Sequence, residues 1–470
     1  MDRAERIKER FVTPDSVVSR KLKLNECSGT VLYNPDLTDS ATIRAVVFAL
    51  ESKCTRHNSY EEIMQAVLFE CETEIQSDDD KIINAIVNGD LALIIDGREE
   101  CLIVNARSYE TRSVMEPPTE TVMRGPREGF IEDIKTNLSL IERRFKTPDL
   151  AIDRIMIGKR SVTNVAICYL SSVADPSVVK KIKDRLNKIN IDGIVDSNYL
   201  VPYLEENPLS LFNQVGVSEK PDVVAAKMLE GRVAIVVDGS PIVLTLPFVM
   251  IEEFQSGEDY YQRSSFASFV RGLRYAGLII ATLLPALYVA LQNFHYTLIP
   301  VRFMMTLMSA IKGLPLSPLA ETVFVLLLFE IIREASVRMP RAVGMAMSIV
   351  GALVLGETAV KAGIISSPAV MIIALSSIAL FTVPNMIGTT SVLRIIYALV
   401  GGLFGLFGLI LTVLLTLHYI CAMNGYGAPY LAPFAPYVSG DMKDGLERAP
   451  LVDMNYRPKS IPNINGKRQG

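Results

Sequence analysis

Side chains able to do chemistry are few and poorly grouped for catalysis. Histidine occurs three times and tryptophan not at all. Six cysteines stand at 27, 54, 71, 101, 168 and 421, no two at Cys-x-x-Cys spacing, and only His57 lies near one of them. A structural zinc needs four converging nitrogen or sulfur ligands, so these read as small buried thiols in a reducing compartment. There is no Gly-x-Ser-x-Gly, His-Glu-x-x-His, phosphate-binding loop or Gly-x-Gly-x-x-Gly, and the Asp-Gly pairs are turn formers first. No catalytic residue, metal or cofactor is expected, and a binding or gating role suits the chain better than an enzymatic one.

Chemistry of another kind is implied where charge is rare. Residues 275–420 carry four acids and seven bases, against 47 and 40 in the rest of a chain whose formal net charge is −4. Ionisable groups in apolar surroundings are costly and tend to face a bundle interior or water. Glu321 and Glu330 lie nine residues apart, on opposite faces of one helix. Glu330 has Arg333 one turn away and reads as half of an ion pair. Glu321 has no basic neighbour at helical spacing, so it is expected either to serve function or to bond to Ser or Thr on another helix. Glu357 and Lys361 have the favourable i, i+4 order. Pro285, Pro300, Pro315, Pro318 and Pro384 interrupt apolar stretches; such breaks free carbonyls that can line ion sites, and they also act as plain kinks. Gly401, Gly402, Gly405 and Gly408 suit close helix packing, with one Gly-x-x-x-Gly step from 401 to 405.

The elements holding these residues divide the chain. A bilayer core of about 30 Å needs about 20 apolar residues as helix, and spans are expected at 275–293, 316–334, 342–360 and 366–384. Residues 298–312 read as re-entrant or interfacial, and 391–420 as one long tilted helix or a broken one. Five spans would put the tail opposite the N-terminal half, six on the same side. Arg263, Arg271 and Arg274 before the first span favour a cytoplasmic side, as does an N-terminus with no signal-like apolar core. No basic cluster of the kind nucleic acid needs is present.

The first half is expected to be α/β. Residues 1–35 look weakly ordered, and 36–76 read as helical through Ile43, Val46, Val47 and Leu50 and then Ile63 to Phe69. Leu91–Ile95 and Cys101–Val104 flank an Asp-Gly turn as a hairpin. Ile131–Phe145 is expected to be helix, 155–157 and 165–170 strands, and 178–186 and 223–229 helices. Asn88–Gly97 echoes Glu230–Gly239, four of ten positions being identical, which points to one helix-then-hairpin unit used twice. The expected domains are 1–35, subdomains 36–125 and 126–262, an all-α polytopic membrane domain of about five spans plus a re-entrant segment over 263–420, and a tail, 421–470.

Several long stretches then become familiar together. They include Glu128-Gly-Phe130, Lys146-Thr-Pro-Asp149, Leu229-Glu-Gly-Arg-Val-Ala-Ile-Val-Val-Asp-Gly239 and Phe254-Gln-Ser-Gly-Glu-Asp-Tyr-Tyr261. Leu284-Pro-Ala-Leu-Tyr-Val-Ala-Leu291, Phe329-Glu-Ile-Ile-Arg-Glu-Ala335 and Pro429-Tyr-Leu-Ala-Pro-Phe-Ala-Pro436 follow in the same order. Over about residues 90–450 the sequence resembles the A subunit of GerA-type spore germination receptors. The resemblance implies residence in the inner membrane of endospores, with a transporter-like B subunit and a lipoprotein C subunit as partners. It also implies a homo-oligomer, a pentamer, forming a ligand-gated channel for monovalent cations. Acids lining a pore favour cations, so Glu321 is the first expected pore residue and Glu330 the second. The alternatives are a secondary transporter and a non-conducting scaffold, including a sporulation paralogue acting in dipicolinic acid release.

Overall fold

The computed structural model describes residues 3–24, 27–53, 63, 72–107, 117, 120, 122–339, 351 and 354–468. Two five-stranded sheets come first. In the first unit, α1 (Arg3–Glu9), β1 (Val18–Leu24), β2 (Cys27–Tyr33), α2 (Ser40–Lys53), β3 (Thr73–Gln76), α3 (Asp79–Val87), β4 (Leu91–Ile95) and β5 (Cys101–Val104) give the strand order β1-β2-β4-β5-β3. The second unit opens with α4 (Ile134–Glu142). It continues through β6 (Leu150–Ile157), β7 (Thr163–Leu170), α5 (Pro176–Asn187), α6 (Val201–Leu204), β8 (Gly216–Ser218), α7 (Pro221–Leu229), β9 (Val233–Val237) and β10 (Val243–Leu246). Its order, β6-β7-β9-β10-β8, repeats the first. The two halves of the sequence echo lead into β4 and β9, which hold the same central place.

Within both sheets, every described strand pairing is antiparallel. The central strands are nevertheless apolar on both faces, because helices cover both. Ala92 and Ile94 pack with α1 and α3, whereas Leu91, Leu93 and Ile95 pack with α2. Ala234 and Val236 likewise face α4 and α7, and Val233, Ile235 and Val237 face α5. This is the burial that makes a strand read as an uninterrupted apolar run.

Two expectations give way. Within 1–35, expected to be weakly ordered, Arg3–Glu9 form α1 and Val18–Leu24 pairs antiparallel with Cys27–Tyr33; β1 is an edge strand whose polar-apolar alternation is thin. Thr73–Gln76, expected to be helical, is a strand because it pairs along β5, tertiary contact overriding the local pattern. The segment around His57, Cys54 and Cys71 lies outside the described residues.

The second half is helical: α8 (Ser264–Phe294), α9 (Val301–Ile311), α10 (Pro318–Arg338), α11 (Ser367–Leu380) and α12 (Ile387–Ala422), with a short π-helical turn at Val354–Ala359. Most of the expected span 342–360 lies outside the described residues. Among the described residues, two helical stretches are long and apolar enough to cross a membrane, Ser264–Phe294 and Pro384–Ala422.

The last of these folds back on itself. Gly405 has φ 67° and ψ −158°. Tyr397 Oη donates to Thr416 Oγ1 at 2.9 Å, whereas nineteen residues of straight helix would separate them by about 28 Å. Residues 387–404 and 406–422 are therefore antiparallel arms, each about 26 Å long. Both outer ends meet the second sheet unit: Thr389 donates to the Leu211 carbonyl, and Asn207 Nδ2 donates to Tyr419 Oη at 3.1 Å. The tail then returns to that unit, with Tyr426 in its core, Tyr426 Oη on the Leu204 carbonyl at 2.7 Å and Ile464 N–H on the Val173 carbonyl at 3.0 Å.

Candidate functional site

The helical half is inverted relative to a water-soluble core. Its outward side chains include Phe266, Phe269, Ile279, Phe324, Ile331, Leu375, Ile378, Phe407 and Leu414, all exposed. Glu321, Thr322, Ser376, Thr390 and Arg394 are buried inside. Exposed apolar groups over a buried polar interior are what lipid or another subunit would cover.

Glu321 stands in the first turn of α10, whose N-cap Ser317 accepts from Ala320 N–H at 3.3 Å. Its side chain is fully buried, and Oε1 accepts the backbone N–H of Ser366, the residue capping α11. The carboxylate thus sits at the positive end of a second helix, a placement that offsets its charge. Oε2 has no partner among the described residues. Tyr288 of α8 lies beside Ser366, Gln292 and Glu321. The Thr322 hydroxyl is also buried without a partner among the described residues, and the buried Tyr288 hydroxyl and Gln292 amide lie within reach of one another. Buried polar atoms of this kind ordinarily hold water or an ion.

Glu330 lies on the opposite face, as its spacing requires. It pairs with Arg333 and with Arg394 of α12, and Arg394 also donates to Ser377 Oγ at 3.2 Å. Arg333 reaches Ser391 Oγ at 2.7 Å. Two guanidiniums face this one carboxylate, so the cluster is net positive. Glu357 and Lys361 form an exposed pair.

The helix breakers have distinct fates. Pro285 does not interrupt α8. A proline lacks the N–H that would serve the carbonyl four residues earlier; here Ser376 Oγ of α11 donates to the Ala281 carbonyl at 2.8 Å instead. Pro300 caps α9, Pro315 lies in the bend before α10, Pro318 begins α10, and Pro384 begins the turn into α12. Gly401 is a packing residue, since a Cβ there would stand 2.9 Å from the Ala286 carbonyl oxygen of α8. Gly405 does a different job from the packing step expected of it: it is the chain reversal. Gly408 follows the reversal beside Phe404. Asn293 Nδ2 donates to the Gly402 carbonyl at 3.2 Å just before the reversal.

Sequence reasoning missed the neck between the two halves. Arg271, expected only as a basic flank, is fully buried and meets Asp259 at 3.2 Å and Asp444 at 3.1 Å; Arg274 also binds Asp259, at 2.8 Å. It also missed Tyr288, Gln292 and the Arg394 partner of Glu330. A lone arginine in 30 apolar residues was the available signal for the last of these. Among the described residues no three His, Cys, Asp or Glu side chains converge to hold a metal.

A double-sheet module joined by a buried ionic neck to an inverted helical bundle defines a subunit with membrane-type helices. The chain belongs to the GerA family of spore germination proteins: the family model described as Bacillus/Clostridium GerA spore germination protein matches residues 5–460. It is 35% identical to spore germination protein KA of Bacillus subtilis, over 98% of this chain and 87% of that protein. It is 38% identical to spore germination protein GerLA of Bacillus cereus, over 81% and 78%. The membrane protein YfkQ of Bacillus subtilis, whose function is uncharacterized, is also 38% identical, over 87% and 80%. Among solved structures, the N-terminal domain of the A subunit of the Bacillus megaterium spore germinant receptor GerK3 is 29% identical. It covers 52% of this chain and 92% of that one, with a TM-score of 0.41.

Proposed function

We propose that the chain is the A subunit of a nutrient-responsive germination receptor, assembling as a pentamer in the endospore inner membrane and conducting monovalent cations when gated. A transporter-like B subunit and a lipoprotein C subunit complete the receptor in this reading. The observation that carries it is the buried carboxylate of Glu321, whose Oε2 has no partner among the described residues, set beside Tyr288 and Gln292 inside an apolar-surfaced bundle. The cation path runs past Glu321, Tyr288 and Gln292. Glu330 is excluded from cation attraction by its two arginines and holds α10 to α12. The tail and the sheet units lie at one end of the bundle, which supports an even number of crossings, six, with both in the cytoplasm. The two sheet units, the helical bundle and the tail are then the working domains.

The test is Glu321→Gln. Glutamine still offers an oxygen to Ser366 N–H but carries no charge. In potassium-loaded vesicles holding the purified chain with its partner subunits, the variant is expected to conduct less. Its detergent-corrected mass by light scattering should stay that of about five chains, as expected of a symmetric closed ring. Unchanged flux removes Glu321 from the path. A monomeric mass in the presence of the partners removes the ring.

A further inference from the structure

The two sheet units meet along a polar seam. Val12 N–H of the first unit reaches the Pro148 carbonyl at 3.4 Å, and Ile152 N–H of the second reaches Thr13 Oγ1 at 3.1 Å. Beside them Asn34 Nδ2 donates to Glu142 Oε1 of α4 at 2.8 Å, and Arg154 of β6 pairs with Asp36. Glu142 is 5% exposed and its Oε2 has no partner among the described residues. Two buried carboxylates from different units thus face one guanidinium, that of the exposed Arg154.

We propose that Glu142 and Asp36 make this seam proton-sensitive: it holds the two units together while Glu142 is protonated and loosens when Glu142 ionises. This stands whether or not the helices conduct.

The surroundings support it from every side. Asn34 and Asp36 face Glu142 from the first unit, Arg154 comes from β6, and the Cys168 thiol comes from β7; Asp153 is on the other face of β6, paired with Lys183. Lys135 and Asp133 of the α4 region act on Asp36. Burial, and then the charge of Asp36, push the Glu142 carboxyl from its ordinary 4.5 up to about 8, against the Asn34 hydrogen bond and Arg154. Burial also raises Asp36, despite Arg154. With Glu142 neutral, Asp36 and Arg154 balance; ionised, it adds a second buried negative charge beside the one guanidinium that Asp36 already pairs with. An acid raised in the closed state stabilises that state fully below its ordinary value and loses the contribution as pH rises through its raised value.

The test is hydrogen exchange on the full chain in detergent from about pH 6 to about pH 9.5, corrected for intrinsic amide rates. Val12 and Ile152 report the seam, and β7 and β9 serve as references. Seam protection is expected to fall by up to about tenfold per pH unit and to level off near pH 8, while β7 and β9 stay protected. Glu142→Gln, which keeps the Asn34 bond, should abolish the pH dependence. Asp36→Asn removes one cause of the upward push, so levelling should come at lower pH. A wild-type seam with no such dependence, a profile unchanged in both variants, or equal loosening of β7 and β9 overturns the proposal. Asp36→Asn keeps the test open if Glu142→Gln does not fold.

Discussion

Replacing Gly405 with alanine strikes the fold-back of α12 at its least tolerant point. The backbone there, φ 67° and ψ −158°, lies in a region essentially reserved for glycine, and holding another residue in it costs about 1–3 kcal/mol. The added methyl would also stand 3.0 Å from His295 Cε1 and 3.1 Å from Phe294 Cγ. Crowding of that kind costs about 1–3 kcal/mol. Alanine further favours continuous helix over glycine by about 1 kcal/mol, and a straight 36-residue α12 would run about 54 Å. Together the folded-back form should lose about 3–7 kcal/mol, enough to change its population more than about tenfold. The assay uses Tyr397→Cys with Thr416→Cys, the exposed Cys421 changed to serine, and a short bifunctional thiol reagent. The two sites crosslink only when the arms lie together. Efficient crosslinking with Gly405 intact, sharply reduced with Gly405→Ala, is the expected result. A thermal midpoint lower by about 4 °C or more should accompany it, at about 2–4 °C per kcal/mol. Equal crosslinking and equal midpoints in the two proteins would refute the hairpin reasoning.

Other outcomes follow from the same interior. Glu330→Ala leaves Arg394, 1% exposed, facing a second guanidinium without its carboxylate. That should cost about 3–5 kcal/mol, and Glu330→Met with Arg394→Met together should recover much of it in detergent melts. Ser376→Ala strips the Ala281 carbonyl of its side-chain donor and should cost about 1–3 kcal/mol. In a Pro285→Ala background, where residue 285 regains an N–H for that carbonyl, the same change should cost less; equal costs in both backgrounds would mean the serine does not stand in for the missing amide.

What the sequence made legible was whatever rested on local period and turn chemistry. The Asn88–Gly97 and Glu230–Gly239 echo ends on β4 and β9 because a glycine, an apolar run and an Asp-Gly turn suffice to write that unit. The opposite faces of Glu321 and Glu330, and the Glu330–Arg333 pair, followed from 100° per residue. What depended on distant partners was hidden. Thr73–Gln76 becomes a strand only because β5 lies beside it, and β1 has too few apolar residues to declare itself. Pro285 looked like a break because nothing near it announces Ser376. Gly405 sits in a packing pattern, and only its dihedral angles show that the chain turns there. Arg271 looked like a flank because Asp444, its partner, is 173 residues away.

That last contact has a mechanical consequence. The chain passes into the bundle through α8 and out of it through the tail, and one buried guanidinium grips both strands of traffic: Asp259 on the way in, Asp444 on the way out. That grip adds to the contacts of Thr389 and Tyr419 with the second sheet unit, so a twist of the sheet module reaches the first and last helices together.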